Sequence, residues 1–391
     1  MDPVWCLPPE AMEGVWKYLE IQDLLNCRLV SNSWNKCLCS DPVWKRYLPR
    51  SDVLPFWESF LESKRLDYNW NHGVYKAYTI DISDSQFAIG DNNIYKGQGK
   101  RVTCYSPDLI EQYSLEFDCD IVGIHPFADM VAYVLLEEKF KHKVKILKKL
   151  KPLAEYQTDV NRISAGTKKI CFQNQNKVIV FDGKSEYVHD LPGDVVEVII
   201  INDRLLVKSV SSVFMGCNIT FYLHGPGGWQ VIWKGRNSPM AYMFCHVQVT
   251  SNHVFYVGAT QTESGYEYSD LCVQGREVSI VDSVQPSRCA YFRFYSSGNT
   301  LIYTQSENLV KMVSTENWKW EQTEVEPGVL LIRSRRNSLI LVYQGRWVVS
   351  SIGMNCPRPG PWNVEGAIVK RNFLALWSKS SLHIYYFADQ K

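Results

Sequence analysis

The spacing of apolar residues changes once along this chain, from the period of a helix to the period of a strand. In PPEAMEGVWKYLE, residues 8–20, the apolar residues recur at positions that share one helix face. They are Met12, Val15, Trp16 and Leu19. Asp23, and then Ser31 or Asn32, are typical N-cap residues and predict two further helices. PFWESFLESKRL, residues 55–66, predicts a last helix.

From about residue 77 the apolar residues alternate with polar ones, which predicts short strands to the end of the chain. The strands form eight pairs. Five units begin with an asparagine followed by a strand, at intervals of roughly 35 to 50 residues, the interval of a propeller blade. Asparagine tolerates the left-handed backbone of a tight turn, which explains its recurrence. These residues are Asn202, Asn252, Asn299, Asn337 and Asn372.

The two ends of the strand region indicate how the sheets close. The last unit ends after LHIYYFADQK without an outer strand, whereas VYKAYTIDI, residues 74–82, precedes the first unit without a partner. A propeller commonly closes its ring by using an N-terminal strand to complete the last blade. We therefore predict a closed all-β propeller; the strand pairs favour eight blades, and the total span also allows seven.

Composition and net charge narrow the classes of partner that this chain is expected to bind and the compartments in which it is expected to occur. A hydrophobic content of 46% with 21% charged residues is typical of a folded protein. The 42 basic and 41 acidic residues give a net charge of +1, so we expect no nucleic-acid or membrane-surface binding. No apolar run reaches membrane-spanning length, and the first residues lack a signal-peptide pattern. The twelve scattered cysteines suit reduced thiols, which predicts a cytoplasmic or nuclear protein.

Motifs for catalysis or metal binding are not found. His125 lies near Asp129, but no second histidine follows at helical spacing, so no zinc site is expected. GQGKR, residues 97–101, lacks the third glycine and the following helix of a phosphate loop and predicts a hairpin turn. We therefore predict no cofactor, no metal, no catalytic residues and no enzymatic activity.

The N-terminal helical stretch resembles an F-box over residues 7–48. The resemblance rests on these residues: Leu7-Pro8 with Glu10, Leu19, Asp23-Leu24-Leu25, Arg28-Leu29-Val30-Ser31, Trp34, and Asp41-Pro42 with Trp44 and Tyr47. NWNHGVY, residues 69–75, resembles the linker that joins the F-box to the propeller in F-box proteins with WD repeats. No strand ends in Trp-Asp, so the propeller is divergent, and a different all-β domain after the F-box stays an alternative.

This resemblance implies a multi-domain protein, with an all-α F-box at 1–50, a helical linker at 51–76 and a β-propeller of seven or eight blades at 77–391. F-box proteins are substrate receptors of SCF-type cullin–RING ubiquitin ligases. They dock to a Skp-family adaptor, and through it to cullin and RING subunits. Carried over to this chain, the adaptor contacts are Leu7, Pro8, Leu19, Leu24, Leu25, Leu29, Val30, Trp34 and Trp44. The alternatives are a non-degradative scaffold bound to the adaptor and an enzyme that uses the propeller cavity.

The target protein would bind the second domain, on the loops that join the two strands of each pair. In KFKHKVKILKKLK, residues 139–151, alternation places four lysines on one strand face, as a candidate stripe for an acidic or phosphorylated target: Lys139, Lys141, Lys143 and Lys145. A solvated edge strand is the reading that we favour. The arginines of LIRSRRNSL, residues 331–339, are predicted to lie in a solvated turn. The longest loop, 259–269, contributes Tyr266 and Tyr268 as candidate target contacts.

Overall fold

The computed structural model places the chain in two compact units. The described residues up to Tyr75, together with Phe387 and Ala388, form the first unit, and those from Lys76 to Tyr386 form the second. The structure describes residues 8–38, 43, 56–138, 141–158, 163–166, 168–174, 177–190, 195–201, 204–213, 216–225, 228–237, 243–249, 254–262, 265–274, 278–282, 294–297, 300–306, 309–314, 320–335, 338–351 and 354–388.

Helices build the first unit. They are α1 (Pro9–Trp16), α2 (Ile21–Cys27), α3 (Asn32–Leu38) and α4 (Phe56–His72). Pro9 opens α1, where its missing N–H would have no partner in any case. Ser31 caps α3, because its Oγ accepts a hydrogen bond from the Trp34 N–H at 3.2 Å. The predicted cap at Asp23 is wrong: Glu20 is the N-cap of α2, and Asp23 lies in the first turn.

The end of α4 is fixed by a residue from the far end of the chain. The rings of Trp70 and Phe387 stack with centroids 3.7 Å apart. The Asn69 side-chain amide donates a hydrogen bond of 2.7 Å to the Phe387 carbonyl, and this contact is buried. Buried polar groups need such partners. The first unit is therefore assembled from residues more than three hundred positions apart in the sequence.

Strands build the second unit. Within its described residues, they form eight four-stranded antiparallel sheets. Blade 1 contains β2 (Gln86–Ile89), β3 (Ile94–Gln98), β4 (Arg101–Tyr105) and β5 (Glu111–Glu116). Blade 2 contains β6 (Asp120–Phe127), β7 (Met130–Glu138), β8 (Lys141–Lys148) and β9 (Lys151–Thr158). Blade 3 contains β10 (Ile163–Ala165), β11 (Ile170–Asn174), β12 (Lys177–Phe181) and β13 (Glu186–Asp190). Blade 4 contains β14 (Val195–Ile201), β15 (Arg204–Val213), β16 (Gly216–Gly225) and β17 (Gly228–Asn237).

The remaining blades follow the same plan. Blade 5 contains β18 (Met243–Val249), β19 (Val254–Thr262), β20 (Gly265–Gln274) and β21 (Val278–Asp282). Blade 6 contains β22 (Phe294–Ser297), β23 (Thr300–Ser306), β24 (Leu309–Ser314) and β25 (Trp320–Glu324). Blade 7 contains β26 (Leu331–Arg335), β27 (Ser338–Tyr343), β28 (Arg346–Ser351) and β29 (Met354–Pro359). Blade 8 contains β30 (Gly366–Val369), β31 (Phe373–Trp377), β32 (Ser381–Tyr386) and, from the other end, β1 (Lys76–Asp81).

Blade 8 closes the ring as the unpaired ends of the sequence predict. β1 pairs antiparallel with β32, from Lys76 opposite Tyr386 to Asp81 opposite Ser381. A buried cluster joins blade 8 to blade 1, with Ile94 of blade 1 among side chains of β31 and β32. Because an edge strand of one blade comes from the start of the chain, the two ends of the propeller are held by backbone hydrogen bonds.

A contact between blades 7 and 8 corrects one prediction, and a turn in blade 1 confirms another. Arg333 does not lie in a solvated turn: it belongs to β26, and its Nε donates a hydrogen bond of 2.8 Å to the Ala367 carbonyl of blade 8. The hairpin turn predicted at residues 97–101 is confirmed, with Gly99 at a φ of +55° between β3 and β4.

One of the five recurring asparagines lies within the described residues. Asn372 lies between β30 and β31, as predicted. Asn202, Asn252, Asn299 and Asn337 lie outside the described residues. Among the described helices, none is long and apolar enough to cross a membrane. The described residues also contain no group of three or more histidine, cysteine, aspartate or glutamate side chains placed to hold a metal ion.

Candidate functional site

The small helices of the first unit share one core. Leu24 and Leu38 are fully buried at 0% exposure. They pack with residues from every helix and with Val43. The other buried members are Met12, Trp16, Val43 and Phe60. Burying a leucine side chain contributes about 1.5 to 3 kcal/mol to the stability of a fold. In so small a core, we expect the buried side chains to be needed for folding rather than for binding.

A turn between α2 and α3 presents two large apolar side chains to solvent. Leu29 is 86% exposed and Val30 is 65% exposed. The turn is held in place, since the N–H of Leu29 donates to the Asn26 carbonyl at 2.9 Å. The Arg28 Nε also donates to Asn35 Oδ1 of α3 at 2.8 Å. The two side chains are therefore displayed on an ordered turn, which we name the Leu29 turn (residues 28–30).

The predicted adaptor contacts fall into three groups. Pro8, Leu29 and Val30 are exposed, and Leu19, Leu25 and Trp34 are half-buried against the core. Leu24 is a correction: with no exposed surface it is a core residue, since a contact with a partner requires accessible atoms. Leu7 and Trp44 lie outside the described residues. Apart from Leu24, these assignments stay predictions.

Sequence reasoning missed part of the exposed apolar surface of α1. Val15 is half exposed, although the helix period places it on the same face as Met12 and Trp16. Tyr18, which follows α1, is 80% exposed, and the Lys17 ammonium lies 5.0 Å from its ring centre. Among the side chains of α1 whose burial the structure describes, Met12 and Trp16 belong to the core. The period could not show which apolar residues the core would leave out.

The predicted lysine stripe lies inside a sheet rather than at an edge. β8 pairs with β7 on one side and with β9 on the other, so the solvated edge strand that we favoured is wrong. Lys143 forms ion pairs with Glu137 and, at 3.2 Å, with Glu155. The hydrogen bond from Lys143 holds the pKa of Glu137 below its ordinary value. The neighbouring carboxylates therefore offset the charge on which the stripe depended.

The remaining predicted target contacts are only partly placed. Lys139 lies outside the described residues, and Lys141 is exposed at the start of β8. Tyr266 and Tyr268 lie on β20, paired with Gln261 and Ala259 of β19. The long loop predicted at 259–269 is wrong, because all but residues 263–264 belong to these two strands. Binding of a target by these residues stays a prediction.

One face of the propeller carries the connections expected to meet a target. Strands alternate in direction, so the turn between the second and third strands of a blade lies at the same edge as the start of its first strand. We name this edge the start face. Residues 344–345 of blade 7 and residues 360–365, which lead into blade 8, both lie there.

An exposed tryptophan stands on this face and was missed by sequence reasoning. Trp362 is 69% exposed. Its ring lies against the backbone of Gly345, where a Cβ atom would come within 3.1 Å of it. The connection is fixed because the Gly345 N–H donates to the Pro361 carbonyl at 3.1 Å and the Gly360 N–H donates to the Gly345 carbonyl at 3.0 Å. The sequence signal is PRPGPW, an aromatic residue after alternating prolines.

Charged and aromatic residues flank the turn that this tryptophan contacts. The Arg346 guanidinium lies 4.7 Å from the Tyr343 ring centre and forms an ion pair with Glu326. Arginine and aromatic residues are the types that dominate binding energy at protein interfaces. We name Trp362, Gly345 and Arg346 the Trp362 surface.

Comparison with known proteins identifies the first unit. Residues 4–50 match the F-box-like family. A stretch of 47 residues is 45% identical to F-box/SPRY domain-containing protein 1 of Danio rerio, covering 12% of this chain and 16% of that relative. The chain thus carries an F-box-like domain followed by a β-propeller, and the predicted fold class is confirmed.

Solved structures were also compared with the whole chain. Sqt1 of Saccharomyces cerevisiae is 12% identical with a TM-score of 0.48, over 81% of this chain and 98% of that one. BamB of Moraxella catarrhalis is 10% identical with a TM-score of 0.46, over 80% of this chain and 100% of that one.

Proposed function

We propose that this chain is the substrate-recognition subunit of an SCF-type ubiquitin ligase. Its F-box-like domain would dock to a Skp-family adaptor, and its propeller would hold a target protein. The observation that carries the proposal is the F-box-like match over residues 4–50 together with the exposed pair on the Leu29 turn. The chain itself would perform no chemistry. It raises the effective concentration of target lysines beside a ubiquitin-loaded enzyme in the cytosol or nucleus.

The adaptor side of the proposal rests on exposed apolar area. Leu29 and Val30 stand largely in water, where two neighbouring large apolar side chains are unfavourable. Centres of stable interfaces are apolar, with fewer charged residues than the rest of the surface. The half-buried Leu19, Leu25 and Trp34 would form the border of the interface. Leu24 would support it from below by holding α2 on the core.

The target side rests on the Trp362 surface. A fixed, exposed tryptophan loses little side-chain entropy on binding and offers a large contact area. Arg346 follows Gly345 in the chain, and its guanidinium can pair with a carboxylate of the target when that group displaces Glu326. The target segment would then present an apolar side chain to Trp362 and an acidic group to Arg346.

The experiment compares three full-length proteins expressed in cells. They are the wild type, Trp362→Ala, and Leu29→Asp combined with Val30→Asp. Proteins that co-purify with wild type and are lost with Trp362→Ala are the candidate targets. A matched control is Tyr187→Ala, which removes a half-exposed aromatic side chain from β13 of blade 3.

Turnover of these candidates separates a receptor from a scaffold. Under the proposal, the Leu29→Asp/Val30→Asp variant still captures the candidates, and their half-lives lengthen because no ligase is recruited. Unchanged half-lives would instead assign the chain the role of a non-degradative scaffold. Candidates that bind Trp362→Ala as strongly as wild type would overturn the assignment of the Trp362 surface.

A further inference from the structure

A cavity of about 150 Å³ opens between blades 1 and 2 of the propeller. Tyr95 of β3, Tyr113 of β5 and Tyr133 of β7 line it together with Asn93. Its mouth lies at the edge opposite the start face, because Asn93 follows the first strand of blade 1 and Asp129 follows the first strand of blade 2. We name it the tyrosine cavity.

Three phenol groups converge in the tyrosine cavity. The Tyr113 phenol interacts electrostatically with the Tyr133 phenol and with the Cys104 thiol, and these interactions add to the effect of burial in raising its pKa. The Asn93 amide donates to the Tyr95 hydroxyl at 3.4 Å. Burial raises the pKa of all three tyrosines well above 10, so the hydroxyl groups stay neutral. Each hydroxyl can donate one hydrogen bond and accept two. The three tyrosine hydroxyls together therefore have the capacity to bond a polar atom of a ligand.

The other walls of the tyrosine cavity are apolar. Leu115 of β5, Val131 of β7 and Leu147 of β8 contribute aliphatic side chains. A cavity of about 150 Å³ with such walls is large enough to hold benzene. The combination of aliphatic walls and a small set of convergent polar groups is typical of small-molecule sites.

The turn at the mouth is strained. Lys149 and Leu150, between β8 and β9, both have left-handed backbones, with φ of +47° and +68°. Residues with a Cβ atom adopt this conformation at a cost of about 1 to 2 kcal/mol each. Strained backbone of this kind clusters at ligand clamps. Leu150 is also 46% exposed, so an apolar side chain stands in water at the mouth.

Charges at the mouth are nearly balanced. Asp129 is paired with Lys148 at 3.0 Å, and Lys149 is one of the residues that line the cavity. A cationic ligand would meet the two lysines, whereas an anion would have to leave water for a floor of neutral phenols. The site therefore favours a neutral ligand.

We propose that the tyrosine cavity binds a neutral six-membered aromatic ring that carries one hydrogen-bonding group, as in phenols. The ring occupies the volume between the aliphatic walls, and its polar group joins the hydroxyls of Tyr113 and Tyr133. The same chemistry occurs in free phenols and in the tyrosine side chain of a bound peptide. This site is independent of the Leu29 turn and of the Trp362 surface.

The first test measures binding of 4-methylphenol to the full-length chain by ligand-observed NMR. We expect 4-methylphenol to bind, and toluene, which has the same ring without the hydroxyl, to bind about tenfold more weakly, since one hydrogen bond contributes roughly that factor. Benzyltrimethylammonium and 4-methylphenyl phosphate are the cationic and anionic controls and are not expected to compete. A short tyrosine-containing peptide that displaces 4-methylphenol would identify the source as a protein, and a peptide that does not would favour a free phenol.

Two conservative variants test the position of the site. Tyr113→Phe and Tyr133→Phe remove one hydroxyl each and are expected to lower the affinity for 4-methylphenol about tenfold while leaving that for toluene unchanged. Tyr187→Phe, on β13 of blade 3, is the matched control and should bind as wild type does. Equal affinity of the Tyr113→Phe and control variants would overturn the proposal. So would the absence of any binding to the folded wild type, which would assign the cavity to water alone.

Discussion

Replacing Thr79 and His383 with cysteine is expected to lock the propeller ring covalently. The two residues are opposite one another in β1 and β32. Thr79 Oγ1 lies 3.2 Å from His383 Nδ1. Opposite residues on antiparallel strands have Cβ atoms about 4.5 to 5.5 Å apart, a gap that small backbone shifts can reduce to disulfide range.

The expected gain follows from the length of the loop that the bond would close. The two positions are 304 residues apart, and for a loop of this size the chain-entropy relation gives about 6 kcal/mol at 25 °C. Strain in the folded, cross-linked protein reduces this gain. We therefore expect the oxidised variant to be about 2 to 5 kcal/mol more stable than the same protein after reduction.

The assay is urea unfolding of the oxidised and reduced forms of one protein, so that the substitutions themselves cancel. The chain has twelve native cysteines, and peptide mapping by mass spectrometry must therefore identify the new bond. The matched control pairs Thr79→Cys with Ser381→Cys, two positions out of register. Such diagonal neighbours lie about 7 to 8 Å apart and should not cross-link. Cross-linking of the control in preference to the opposite pair would refute the closure by β1.

Three further predictions concern stability. Leu24→Ala should cost about 2 to 5 kcal/mol in urea unfolding, whereas Leu29→Ala should change it by less than about 0.5 kcal/mol, because only the first side chain is buried. Asn69→Ala should lower the free energy of unfolding by about 1 to 3 kcal/mol, because it removes the buried hydrogen bond to the Phe387 carbonyl. An Asn69→Ala variant as stable as wild type would contradict this contact. Burial lowers the pKa of His125 below its ordinary value of 6.5. Below that pH the unfolded chain therefore binds more protons than the folded protein, and the stability of the folded protein falls as the pH drops. In His125→Gln, the melting temperature should depend less on pH between pH 7 and 5 than it does in wild type.

The sequence allowed the ring closure to be predicted because both ends of the strand region carried unmatched strands. The period of two also identified the strand pairs, and eight sheets are present in the described residues. The lysine stripe was misplaced for a physical reason. Alternation shows which side chains share a face of a strand, whereas the position of that strand within the sheet depends on its neighbours. Glu137 and Glu155, which pair with Lys143, therefore could not be identified in advance.

Polar composition misled the prediction of the longest loop. Residues 259–269 contain Thr, Gln, Glu, Ser and Gly, yet β19 and β20 extend through most of them. The tendency of a segment to form a strand depends on its cross-strand neighbours. Here β19 and β20 supply backbone hydrogen bonds to each other, which the composition of the segment does not reveal. Similarly, the F-box resemblance included Leu24 and Leu29 without separating the buried residue from the exposed one. That distinction comes from the packing of α2 against α1, α3 and α4.

The most direct test of the proposed function is co-purification of the full-length chain with a Skp-family adaptor. The wild type is expected to elute with the adaptor as a stoichiometric complex in size-exclusion chromatography. Leu29→Asp with Val30→Asp should lose the adaptor while remaining folded, and Val231→Asp, a half-exposed apolar position on β17 of blade 4, should retain it. A wild type that elutes alone and stable, or a Leu29→Asp/Val30→Asp variant that keeps the adaptor, would contradict the account.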